Sequence, residues 1–249
     1  MKKLLFLLLT LLFLAACAPQ SEPLTDPEPQ PPATEVTPDP VPIPEPTALS
    51  YTVGETTKNA QYDGLQVNIT LPVLTGENQS ALDVINNYYT LLAGKVLDYA
   101  EGDLVSVPGT SSQVVANYDL TYATENTVSI LWQITTLTTA ESPTEFTQSA
   151  GVFDVKTGNL YTFSDVFGES AAAVRKMFVE KLRGSIPMMA ESNYFYEHWY
   201  DLADSSFDPN NFYLNEEGVF IFYPQDALGT AVDAFLSYGT LAEYLAIEP

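Results

Sequence analysis

The sequence predicts an α+β fold: mixed antiparallel sheets with packed helices, in two closely associated lobes over residues 49–145 and 146–249. Three observations predict it. Apolar residues make up 46% of the 249 and aromatics 12%, enough for a core and too much for wholesale disorder. Two long stretches alternate apolar with polar residues, the period of a half-buried strand. Between and after them lie stretches whose apolar residues recur every three or four positions, the period of a helix.

The elements follow in order from Leu49. Gln66 to Pro72 alternates and reads as a strand. Ser80 to Ala100 carries Leu82, Ile85, Tyr89, Leu92, Val96 and Tyr99 on one helical stripe, with Gly102 near its end as a stop. Val114, Ala116, Tyr118, Leu120 and Tyr122 define one strand, and Val128, Ile130, Trp132 and Ile134 the next. Ala123-Thr124-Glu125-Asn126 suits the hairpin connection between them. A second hairpin is expected from Gly151 through the turn Lys156-Thr157-Gly158-Asn159 to Phe163, with Gly158 supplying positive φ. Ser170 caps a helix to about Leu182, with Val174, Met177, Phe178 and Leu182 inward, and Gly184 and Pro187 end it. Phe212 to Leu214 and Val219 to Tyr223 flank a turn as a third hairpin, and a short helix covers Thr240 to Leu245.

The front of the chain has a different composition. Met1 to Cys17 reads as a bacterial export signal: Lys2 and Lys3, an apolar run from Leu4 to Leu14 broken only by Thr10, then small residues. That run is too short for a permanent membrane span. Leu14-Ala15-Ala16-Cys17 resembles a bacterial lipobox, in which the cysteine thiol receives diacylglycerol and becomes the mature N-terminus. Cys17, the sole cysteine, is therefore the expected lipidation site, with two acyl chains giving stable anchoring on a membrane face. Residues 18–48 hold 11 of the 18 prolines, six acids and no Lys or Arg. This Pro-rich acidic spacer favours extended polyproline II and, at roughly 3 Å per residue, reaches up to about 90 Å.

Charge and side-chain inventory exclude several functions. The formal net charge is −23. Residues 49–249 alone contain 26 acidic and 7 basic residues, a surface that repels nucleic acid. One cysteine excludes an internal disulfide, and the lone His198 excludes the usual zinc sites. No Gly-x-Ser-x-Gly elbow occurs, and a catalytic histidine would lack partners. Glu216-Glu217 sits in a turn, where solvation explains it, and Asp208 and Asn210 lack the ligand spacing of a calcium loop. No cofactor is expected. Arg175, Lys176, Lys181 and Arg183 fall within one helix and read as a solvated face paired with acids.

The candidate binding surface is Tyr194-Phe195-Tyr196-Glu197-His198-Trp199-Tyr200. Tyr and Trp dominate interface hot spots, so Tyr194, Tyr196, Trp199 and Tyr200, with Glu197 among them, suit a partner site. A helix or turn packed on the sheet is the competing reading. Neighbouring Glu191, Asp201 and Asp204 suit a cationic protein ligand through steering.

Phe153-Asp154-Val155-Lys156-Thr157-Gly158-Asn159-Leu160 followed by Phe163-Ser164-Asp165-Val166-Phe167 resembles the core signature of a domain of unknown function, DUF3298/DUF4163-like. Phe212-Tyr213-Leu214, Gly218 to Pro224 and Leu241 to Leu245 resemble its C-terminal half, and Val84-Ile85-Asn86 its upstream helix. That domain occurs in the extracellular part of the anti-sigma-V factor and beside some cell-wall polysaccharide deacetylases. The resemblance implies a two-lobed α+β fold, an extracytoplasmic location and, from the anti-sigma-V ectodomain, lysozyme binding. The chain departs from the pattern at Ala140 to Gly151, where a Tyr-x-Gly-Gly-Ala-His stretch is reduced to Ala150-Gly151. The sigma-binding segment, the transmembrane helix and the deacetylase domain of those proteins have no counterpart in the sequence.

The expectation is a lipid-anchored bacterial surface protein without catalytic activity, facing outward. Its partners would be the membrane, through Cys17, and a cationic protein such as lysozyme or a cell-wall component. The alternatives are a carboxylate-dependent wall-polymer hydrolase, with a pair of the many acids as catalysts, or a structural accessory of an envelope enzyme.

Overall fold

The computed structural model describes residues 49–62, 64–104, 112–137 and 145–248, so the export signal, Cys17 and the spacer lie outside the described residues. Strand β1 (Tyr51–Tyr62) pairs antiparallel with β2 (Leu65–Gly76) in an unbroken register, from Tyr51 opposite Gly76 to Tyr62 opposite Leu65. Helix α1 (Gln79–Tyr99) follows and continues into a π-helical turn, Ala100–Leu104. Of the expected stripe, Leu82, Ile85, Tyr89 and Val96 are buried, whereas Leu92 is half-buried and Tyr99 exposed at the far end. The stripe leaves the core at its C-terminal turns.

The helix carries the chain across to β3 (Ser112–Ala123), which runs parallel to β2 over Leu65–Ile69. A β–α–β unit therefore sits inside a sheet otherwise antiparallel. Strands β3, β4 (Thr127–Leu137) and β5 (Glu145–Asp154) form a meander, and the five strands lie in sequence order. A register shift between Leu120 and Tyr122 leaves Leu120 opposite Ile130 but puts Tyr122 opposite Ser129, against the second core, so the alternation read across that strand does not keep one face. Such a shift is what a bulge does to the pleat.

After β5 the chain turns at Gly158, whose φ of +76° favours glycine. The hairpin expected there is only a Phe153–Leu160 bridge, because Phe163 opens helix α2 (Phe163–Phe167). Thr162 and Asp165 form a reciprocal capping box that starts this helix. Helix α3 (Ala171–Met189) runs past both expected stops. Gly184 meets open space, and Pro187 sits in the last turn, where its missing N–H costs one helical bond. Buried Ile186 holds that turn on the core. Ser170 occupies the N-cap position without a side-chain hydrogen bond.

Helix α4 (Trp199–Ser205) leads to a second sheet of β6 (Phe212–Leu214), β7 (Gly218–Tyr223) and β8 (Val232–Ser237), with α5 (Gln225–Leu228) between the last two and α6 (Tyr238–Leu241) after them. The expected β6–β7 hairpin is present, with the Asn215 side chain accepting from the Glu217 and Gly218 N–H groups. The final helix lies earlier than Thr240–Leu245, because the Ser237 hydroxyl caps it by accepting from the Thr240 N–H.

Two cores result. One fills the space between α1 and the first sheet, around Leu82, Ile85, Tyr89, Ile130, Trp132 and Phe153. The other lies under α2, α3 and the second sheet, around Phe163, Phe178, Leu182, Ile221 and Tyr223. Strand β4 joins them. Val128, Ile130 and Trp132 face α1, while buried Ser129 turns the other way and accepts the Leu214 N–H of β6 at 3.0 Å. Its register partner Val152 belongs to the second core. The boundary expected at 145/146 thus falls at the start of a paired strand, and the first sheet ends only with Asp154; the described residues make one compact unit.

Candidate functional site

The aromatic segment links α3 to α4 and is held at both ends. The Tyr196 N–H donates to the Leu228 carbonyl at 3.0 Å, and the Trp199 N–H to that of Tyr196. Gly229, at φ +94°, lets the segment close on α5: a Cβ there would stand 3.1 Å from the Tyr196 nitrogen and 3.2 Å from the Tyr194 ring. Phe195 and Trp199 are half-buried against the second core, so the packed-turn reading holds for these two. Tyr194 is 70% exposed and Tyr200 53%, and Tyr196 and Glu197 also face solvent. The rings meet edge to face in two pairs, Tyr194 with Tyr196 at 5.9 Å and Trp199 with Tyr200 at 5.7 Å.

The helical cations hold this surface in place. Arg183 lies 4.1 Å over the Tyr200 ring, donates from Nε to the Tyr200 carbonyl at 2.9 Å and pairs with Glu180. Its side chain is only 17% exposed. Arg175 pairs with Asp204 at 2.7 Å and also donates to that residue's carbonyl, fixing the end of α4. These two arginines therefore serve as joints between α3 and α4 rather than as a purely solvated face. Around the rings, Glu191, Glu197 and Asp201 remain exposed.

Other side chains singled out in the sequence find local explanations. His198 is exposed at the N-terminal flank of α4. Asp208 accepts from the Asn210 backbone and side chain, and Glu216 and Glu217 are exposed in the β6–β7 turn. Among the described residues, no group of three acids, His or Cys is placed to hold a metal. No helix among them is long and apolar enough to cross a membrane.

Sequence reasoning missed a second feature. A cavity of about 420 Å³ opens between the C-terminal half of α1 and the strands β4 and β5. Its floor is built from three registered pairs: Thr136 with Glu145, Ile134 with Thr147 and Trp132 with Ser149. Half-buried Leu92 and exposed Tyr99, with buried Val96 between them, form its wall. The Trp132 indole N–H is buried without a partner. The Tyr99 phenol, 3.4 Å from the Glu145 carboxylate, is held above its ordinary pKa, first by burial and then by Glu145 and Asp103.

This arrangement of elements is that of the DUF3298 proteins. Superposition on a member from Bacteroides fragilis gives a TM-score of 0.52 with 14% identity, covering 81% of this chain and 95% of that one. A DUF3298 protein from Pseudomonas aeruginosa gives 0.50 with 12% identity, covering 80% and 94%. At such identities the likeness is one of fold. No family model matches the sequence, and no curated protein does.

Proposed function

We propose that the chain is a lipid-anchored, non-catalytic binding protein of the bacterial cell surface, moored through diacylglycerol on Cys17 and recognising a cationic protein, lysozyme being the leading candidate. The observation that carries the reading is the clamped aromatic surface. Tyr194, Tyr196 and Tyr200 stand in solvent on a backbone tied to α3 and α5, with Glu191, Glu197 and Asp201 around them. Preorganised aromatic anchors lose little entropy on binding, and an acidic rim speeds encounter with a basic partner. The acidic spacer would hold this surface away from the lipid.

The test is titration of the purified chain with lysozyme at low and at physiological ionic strength. Binding should saturate, weaken with salt as rim charges are screened over a Debye length of about 8 Å, and fall about tenfold or more in Tyr200→Ala. Binding that ignores both salt and Tyr200 would refute the assignment. Labelling with palmitate, abolished in Cys17→Ala, tests the anchor separately.

A further inference from the structure

The groove beside α1 has the geometry of a strand-addition site. Strand β5 is the last in its sheet. Toward its C-terminal end the free edge is covered, since the Tyr161 N–H donates to the Val152 carbonyl and Phe153 bridges Leu160. From Glu145 to Ala150 no strand lies beside it among the described residues, and Glu145, Phe146 and Thr147 are exposed. An edge with unpaired N–H and C=O groups is usually blunted by proline, lysine or a bulge. Glu145-Phe146-Thr147-Gln148-Ser149-Ala150 contains neither residue, and its pairing with β4 runs without a shift.

The edge does not stand alone. The 420 Å³ cavity opens along the same six residues, with a helix as its second wall. A second cavity, of about 280 Å³, begins at Ser149 and Ala150 and continues along the strand. A chain laid against Glu145–Ala150 would pass over the first cavity and end at the start of the second, where Leu160 and Tyr161 cover the edge, with successive same-side residues about two strand positions apart. The larger of the two is lined by Leu92, Val96, Trp132 and Ile134 and so accepts an apolar side chain. Glu145 lies in the lining beside the single cation Lys95, Asp103 is close enough to raise the Tyr99 phenol at the rim, and residues 49–249 around them hold 26 acids against 7 bases. Helix-flanked edge strands are a recurrent mode of peptide capture, in which main-chain bonds give affinity and pockets for alternate side chains give specificity.

We propose that β5 and α1 form a docking groove for an extended peptide, bound by strand addition, with apolar residues at alternate positions and basic residues flanking them. The groove shares no residue with the aromatic surface, so it is a separate site that stands whether or not lysozyme binds.

The test uses the purified full chain and a fluorescein-labelled peptide, acetyl-Lys-Thr-Val-Thr-Val-Thr-Lys-amide, followed by polarisation. Saturable binding that weakens with salt is expected. Two N-methylated versions, blocking alternate sets of amides, should differ: one loses about tenfold or more in affinity and the other keeps it, because only every second N–H faces the edge. Thr147→Trp, which fills the cavity from an exposed position, should weaken binding about tenfold with an unchanged melting temperature. Glu145→Lys should flatten the salt dependence. Equal loss in both methylated peptides, absence of saturation, or indifference to Thr147→Trp overturns the proposal. So does saturable filling of the groove by the dye ANS when the peptide does not bind, since that would mark a small-molecule pocket.

Discussion

At the scale of single residues, Ser129 carries more than its size suggests. Its hydroxyl takes the Leu214 N–H from the second sheet and is itself 2.9 Å from the Thr121 hydroxyl, in a wholly buried position. Ser129→Ala removes the acceptor and leaves an amide donor stranded away from water, at a cost of about 1–3 kcal/mol. Chemical denaturation should show that loss, and hydrogen exchange should show the Leu214 amide losing protection. An unchanged Leu214 amide would mean that the joint is made elsewhere. Nothing in the sequence marks this serine, which occupies one polar position of an alternating strand like any other. Its role exists only once β4 has a layer on each face. The aromatic run from Tyr194 to Tyr200 was the opposite case, conspicuous as composition, yet which rings point inward depends on Leu228, Gly229 and Arg183, all distant in sequence.

At the scale of elements, legibility followed burial. Helix α1 was readable because four of its stripe residues enter one core, and β4 because its inward residues alternate. Strand β1 was invisible: an edge strand with most positions exposed has no apolar period to detect. Helix α3 outlasted its predicted stops since tertiary anchoring at Ile186 outweighs one missing bond at Pro187. The groove could not be seen in advance, because its wall and floor come from segments brought together only by the β4–β5 register. The short α2 depends on its cap. Asp165 accepts from the Thr162 N–H at 2.8 Å and from its hydroxyl at 2.7 Å, and these bonds hold its carboxyl below the ordinary 3.8. Asp165→Ala, which removes the exposed N3 half of the capping box, should cost a few tenths to about 1 kcal/mol. A carboxylate whose folded pKa is lowered stabilises fully above the unfolded value and loses that contribution as pH falls through the folded one. The wild type and the variant should therefore differ at neutral pH and converge in melting temperature in strong acid. A gap that persists unchanged at low pH would show that the carboxylate is not the operative group.

At the scale of the whole molecule, the tyrosines set an alkaline limit. Burial pushes the Tyr51 phenol up to about 12, and raises Tyr89, Tyr213, Tyr223 and Tyr238 as well, with Asp233 adding to the effect at Tyr213. Each folded value lies above the ordinary 10.0, so the fold favours the neutral phenol. Their contribution is complete below pH 10.0 and is lost as pH climbs toward the folded values. The melting temperature should drop above that point, and tyrosinate absorbance from the buried set should rise together with loss of structure. Ionisation of all tyrosines near 10 with the fold intact would contradict the burial described above.

The doubly covered strand β4 also sets a timetable for synthesis. The strip that Ser129 and Val152 share with the second sheet has no lid until Phe212–Leu214 has been made. At roughly 5–20 residues per second, the nascent chain spends several seconds with that strip bare. A gene truncated after Asp154 would leave it bare for good, so such a product should clump or be degraded rather than persist as a half-sized relative.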